Sequence, residues 1–331
     1  MKTALEDKMS VYEQLYFGED EPVPFLENLK IYPALLKDYY KFYSLINCFT
    51  IDKNADKTGI GIPMSDLGYL VYLMQQEGNE RLQGQLFDLL GMVFHLENGL
   101  YCAEENCEYN EIASFKKLQE TINQEMLKIN QEAQSILNED DKQKFILEQK
   151  RALFEKLEKC PCCGKVMRDV FELKQDEKNQ FKLFVKGIEI SSKKFKELKR
   201  IYCYQNILDY NDDYIDPELK EALDEAARLR AGNTEQPTLE RQKACIVAST
   251  GYKFEELGQL TLRKFALLVR IIVAKVDYTA YKTGEMSGMV TFKSPYPHWV
   301  YSNDNPRKNR FKDIMSVDQI EKKIGGGSKI M

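Results

Sequence analysis

Histidine is scarce in this 331-residue sequence: His95 and His298, about two hundred positions apart, are the two it has. Any imidazole mechanism would rest on one of them alone. The glycine loops that cradle phosphates, G-x-x-x-x-G-K-[ST] and G-x-G-x-x-G, are missing, as are the nucleophile elbow G-x-S-x-G and the zinc-protease H-E-x-x-H. No catalytic set emerges, and the chain reads as a non-enzyme. No run approaches the roughly 20 apolar residues that cross a bilayer. The longest, Phe265 to Val276, is broken by Arg270 and Lys275 and reads as a core helix. The first residues, MKTALEDKMSVYEQLYF, carry early acidic charge and no apolar segment of the kind that marks a secretory signal. Charge of one sign is lacking too: 47 basic against 52 acidic residues leave a net charge of -5. That balance does not advertise a nucleic-acid surface, which favours a strongly basic face.

What is present is apolar surface, at 43% of residues, enough for real cores in a chain of this length. Helical spacing dominates. In PALLKDYYKFYSLINCF, Leu36, Tyr39, Tyr40 and Tyr43 predict one buried helical face, and in PMSDLGYLVYLM Ser65 caps a helix with Asp66 in its first turn. Between Glu111 and Lys159 there is neither Gly nor Pro; Glu, Gln, Lys and Leu predict two helices in an antiparallel hairpin turning near Asn138 to Lys142, with a single extended helix as the alternative. The alternation in VMRDVFELK and FKLFVKGIEI predicts a β-hairpin around QDEKNQ. Helices return with Phe195, Leu198, Ile201 and Tyr202 on one face, then in DPELKEALDEAARLR, where Asp216 is the cap, Pro217 follows and Glu218 lies in the first turn. Others follow through ERQKACIVAST and after Thr261. The expected fold is mainly α, of α+β class. It has an N-terminal helical region over 1–100, a cysteine-knuckle module with helical arm and β-hairpin over 101–191, a C-terminal helical region over 192–302 and a polar basic tail over 303–331.

The eight cysteines carry the chemistry. With no secretory signal expected, they read as thiols or metal ligands rather than disulfides. Cys160 and Cys163 stand two residues apart in CPCCGK, with Pro161 and Gly164 shaping a tight turn of the zinc-ribbon kind. Cys102 and Cys107 supply a second pair in LYCAEENCEYN. Together they predict a structural zinc site with the helical arm inserted between its halves; His95 and Cys162 are substitute ligands. A redox pair and plain reduced thiols are the alternatives. A catalytic zinc would want histidine or carboxylate ligands and a nearby base. Cys48, Cys203 and Cys245 lie on apolar helical faces and read as core. The acidic run Asn211, Asp212, Asp213, Asp216 and Glu218 lacks the spacing and glycine of a calcium loop and reads as a solvated loop with a helix cap. In SPYPHWVYSNDNPRKNRF, aromatics precede Arg307, Lys308 and Arg310, a mixture that can stack on bases and neutralise phosphates, though Trp299 beside His298 reads as an anchor for the C-terminal segment.

The stretches GIEISSKKFKELKRIYCYQN, DYIDPELKEALDEA and SGMVTFKSPYPHW resemble the C-terminal part of helical proteins encoded among the structural genes of large tailed bacteriophages. IYPALLKDYYKFYSLINCF with PMSDLGYLVYLM is similar to their front half. The resemblance implies a tail-assembly chaperone or baseplate-associated protein that binds other tail or baseplate proteins, in the host cytoplasm or the virion, with no enzymatic activity. The CPCCGK knuckle and the helical arm look like an insertion in that plan. From a different class, a zinc-containing nucleic-acid-binding or transcription-regulating protein is the alternative.

Overall fold

The N-terminal helix α1 (Val11–Gly18) begins in a capping box, Ser10 accepting from the Glu13 amide while the Glu13 carboxylate takes the Ser10 amide. The structure, a computed structural model, describes residues 5, 8–53, 59–79, 81–104, 106–107, 110, 112–134, 139–157, 159–160, 162–176, 181–208, 237–288 and 298–300, with a few positions between 218 and 226. Most of the helix expected around Asp216 and Pro217, and the tail from 301, lie outside the described residues.

A hairpin that helical spacing did not suggest follows α1. Strand β1 (Val23–Leu26) pairs with β2 (Leu29–Ile31), Val23 opposite Ile31, and Glu27 turns the chain with a φ of 42°. The next segment is not the single helix with a tyrosine face expected from sequence. A 3-10 turn at Leu36–Asp38, helix α2 (Tyr39–Leu45) and a second 3-10 turn at Ile46–Cys48 bury Leu36, Phe42, Leu45, Ile46 and Phe49. Tyr40 is 76% exposed and Tyr43 45%. The tighter 3-10 turns rotate the face, and the fully apolar rings take the interior while Tyr40 and Tyr43 stay exposed.

Helix α3 (Asp66–Met74) starts as expected, with Ser65 accepting from the Gly68 amide at 3.0 Å. It packs with α4 (Leu82–Phe94), which buries Leu86, Leu89, Leu90 and Val93 completely, and with α7 (Ser192–Gln205), the middle of the core. On α7 the predicted face is buried as a whole: Phe195, Leu198, Ile201 and Tyr202. Asn206 ends α7, donating to the Tyr202 carbonyl at 2.8 Å while its Oδ1 accepts from the Ala34 amide at 3.0 Å. Helix α8 (Leu239–Ser249), the short α9 (Phe254–Leu257) and α10 (Leu262–Met286) follow, with Thr261 capping α10. Backbone bonds from Leu36 to the Leu260 carbonyl and from Leu262 to the Ala34 carbonyl, 2.8 and 2.9 Å, tie the N-terminal region to α10.

The expected β-hairpin is present, with Phe171–Gln175 paired antiparallel to Phe181–Val185, but the front of VMRDVFELK belongs to a second sheet. Strand β4 (Met167–Asp169) pairs antiparallel with β3 (Leu100–Cys102), while β5 (Phe171–Gln175), β6 (Phe181–Val185) and β7 (Ile188–Ile190) form a separate antiparallel sheet. Phe171, Leu183, Val185 and Ile190 of that sheet belong to the core shared by residues on both sides of the arm. The arm itself is α5 (Ile112–Ala133) and α6 (Glu139–Leu157), packed on each other. Glu139 to Lys142, expected in the turn, form the first turn of α6. Ile122, Met126, Ile129 and Ala133 recur at spacings of four and three, and the last two are buried. No helix of the described residues is long and apolar enough to cross a membrane.

Candidate metal centre

Strand β3 delivers Cys102 opposite Met167 of β4, and the turn after it brings back Cys107, whose amide donates to the Glu104 carbonyl at 3.0 Å. On the other side of the arm, Lys159 bridges to Val166, and the Cys160 amide donates to the Lys165 carbonyl at 2.7 Å. The turn closes with the Gly164 amide donating to the Cys160 carbonyl at 2.9 Å and Gly164 at a φ of 70°, a conformation that costs glycine little. Two short turns on paired strands thus face each other.

Their sulfurs meet. The Sγ atoms of Cys102, Cys107, Cys160 and Cys163 all lie within 4.8 Å of one another, with Cys102 to Cys163 and Cys107 to Cys160 each 3.4 Å. A tetrahedron of sulfurs about 2.3 Å from a central ion has edges of about 3.8 Å, so this donor set fits one ion with small adjustments. The four cysteines could hold a metal ion, and they are the one such group of three or more among the described residues. Cys102, Cys107 and Cys160 are buried, and Cys163 is exposed. Met167 is buried with them, and Leu100, Ile122 and Leu153 pack around the group, the last two from α5 and α6.

Electrostatics favour thiolate at one corner. Burial pushes the Cys160 thiol up, but the amides of Cys163 and Cys162 directed at its sulfur outweigh that and hold it at about 7. At Cys102 burial wins, and its thiol is raised despite the Glu104 amide. The Lys165 ammonium, held by Glu104, adds positive charge at the rim.

The two substitute ligands take other places. His95 ends α4 with a φ of 52° and stacks on Tyr32, ring centres 3.9 Å apart; burial lowers its pKa. Cys162 is exposed and outside the sulfur group. Cys48 and Cys203 are buried in the core, and Cys245 is half-buried beside it. Asp212, Asp213 and Asp216 lie outside the described residues, whereas Glu218 is exposed. His298 rests on Tyr278 at 4.7 Å and on Trp299 at 5.5 Å. The shell of Met167, Ile122 and Leu153 and the Glu104–Lys165 pair had no signal in sequence, because the residues that supply them are scattered between 104 and 167 and meet only in the fold. Comparison of the chain with known protein families, curated proteins and solved structures found no match.

Proposed function

We propose that this chain is a non-enzymatic protein-binding factor whose four-cysteine centre holds a structural zinc ion and fixes the base of the two-helix arm. The observation that carries the reading is closure: four sulfurs converge, so a tetrahedral ion finds every position filled by protein. Thiolates select zinc or iron over the hard cations that prefer oxygen. Zinc, when bound, supplies a cross-link and no redox step. Cys102 and Cys107 would hold it from the β3 side, Cys160 and Cys163 from the β4 side. The amides at Cys160 stabilise the thiolate, and Ile122 and Leu153 seat the arm over it.

The arm then offers a surface to partners. Ile122 to Ala133 spans 12 residues, or about 16 Å of helix. The resemblance of the flanking sequence to helical phage proteins supports tail or baseplate proteins as those partners. Protein purified without chelator should carry about one zinc per chain, and Cys160→Ser with Cys163→Ser should abolish it; a metal-free wild type would remove the knuckle. A tagged pull-down from infected cells that recovers tail or baseplate proteins supports the assembly role. Recovery of polymerase subunits or nucleic acid instead would overturn it.

A further inference from the structure

Helix α10 carries two apolar stripes on opposite sides. One, Leu262, Phe265, Val269, Ile272 and Val276, runs at spacings of three and four, and its first four members pack into or against the core. The other, Leu267, Ile271, Ala274 and Tyr278, has spacings of four, three and four, placing it about 180° around the helix at 100° per residue. Leu267 and Ile271 are each 42% exposed although aliphatic. Ile272 is the last buried residue, so 273–286 continue for about 21 Å with no buried side chain. A helical piece of this length is marginal in water without a packed face. At its far end the second stripe is bordered by His298 against Tyr278.

The spacing is that of a coiled-coil seam, and the charges beside it select a partner. Arg270 and Asp277 are exposed on one shoulder, seven residues apart; Leu268 and Lys275 stand on the other. An antiparallel two-helix pairing that sets Ile271 against Ala274 of a second copy, and Leu267 against its Tyr278, brings Arg270 beside Asp277 of that copy. By symmetry the same contact forms twice, and Lys275 falls opposite an apolar Leu268. A parallel pairing would instead set Arg270 beside Lys275. We propose that this stripe of α10 binds a second copy of the chain, antiparallel, as a two-fold dimer.

Four layers of side chains make an interface at the small end of specific ones, so the dimer should dissociate in the micromolar range. Sedimentation equilibrium of the full chain over that range should show monomer and dimer. Ile271→Glu, an exposed position, should raise the dissociation constant about 100-fold, since each dimer carries the change twice, while the core keeps its cooperative unfolding transition. Arg270→Asp and Asp277→Arg should each weaken self-association, whereas an equimolar mixture of the two variants should regain it as a heterodimer. A strictly monomeric wild type, or a dimer that Ile271→Glu leaves intact, would overturn the proposal. So would tighter association of Arg270→Asp, which a parallel pairing requires. None of these readouts depends on zinc.

Discussion

Asp66 opens α3 between two ammonium groups, Lys53 Nζ at 2.7 Å and Lys199 Nζ at 2.9 Å, and Lys199 is 3% exposed. Burial pushes the Asp66 carboxyl up, but the charge of Lys199 and hydrogen bonds from both lysines outweigh it and hold it at about 2 against an ordinary 3.8. That difference corresponds to about 2 kcal/mol in favour of the folded state. Lys199 works the other way: its burial outweighs the attraction of Asp66, so its own pKa is lowered and the pair contributes less than the carboxylate alone suggests. Asp66→Asn leaves that ammonium buried without its counter-charge, and the cost should be about 3 kcal/mol at neutral pH, at the lower end of values for broken buried pairs. Adding Lys199→Met should restore most of it. Urea unfolding followed by circular dichroism measures both. Because the folded-state pKa is depressed, the contribution is fully present above 3.8 and lost as pH falls toward about 2, so the gap between wild type and Asp66→Asn should close across that window. A gap below about 0.5 kcal/mol at pH 7, within the range of ordinary surface changes, or one that persists unchanged to pH 2, would refute the reasoning.

Three further changes test how the sheet, the cysteine turn and the end of α7 are held. Gly187 has a φ of 78°, and a Cβ there would lie 2.9 Å from Tyr101 Oη; Gly187→Ala should cost about 1–3 kcal/mol in thermal unfolding. Gly164, at a φ of 70° but with open space around it, should cost only about 1 kcal/mol as alanine. Asn206→Ala strands the buried Ala34 amide and should lower stability by about 1–3 kcal/mol in urea titration.

Local signals carried much of this fold. Ser65 and Thr261 announce helices because a cap acts within three residues, and Phe195, Leu198, Ile201 and Tyr202 announce a face because one period repeats within a single helix. The cysteine pairs are legible for the same reason: two thiols on a tight turn are a local event. Errors arose where tertiary context chose. Tyr40 and Tyr43 share the spacing of a core face, yet Phe42 and Phe49 fill it, since nothing local ranks one aromatic face over another. VMRDVFELK alternates like one strand, but Ser-free and turnless as it looks, Val170 separates β4 from β5, its amide bonding to Gly99 and its carbonyl to Lys186, two different neighbours. The apolar run after Thr261 reads as a core helix, and only Leu262, Phe265 and Ile272 are buried, because α8 covers one side.

The cysteine module's own core explains why a metal there would matter more than its size suggests. Its buried members are Cys102, Cys107, Cys160 and Met167, so three of four are proposed ligands, and the apolar remainder is one methionine with three half-buried side chains. Holding Cys107 to Cys160 closes a loop of 52 intervening residues. The length-dependent part of that closure costs about 3.5 kcal/mol, and strands of three residues each supply little against it. Sulfur–metal bonds must therefore replace the missing hydrophobic burial. The core around α7 does not depend on them, since none of its residues is a ligand. Stripping the ion with a chelator should accordingly raise amide exchange in 112–133 and 139–157 and in β3 and β4, while α4, α7 and the three-stranded sheet keep their protection. Uniform loss of protection would mean that the module is integral to the whole fold. Unchanged exchange in the arm would mean that α5 and α6 hold themselves, and that the sulfurs, whatever they bind, do not fix it.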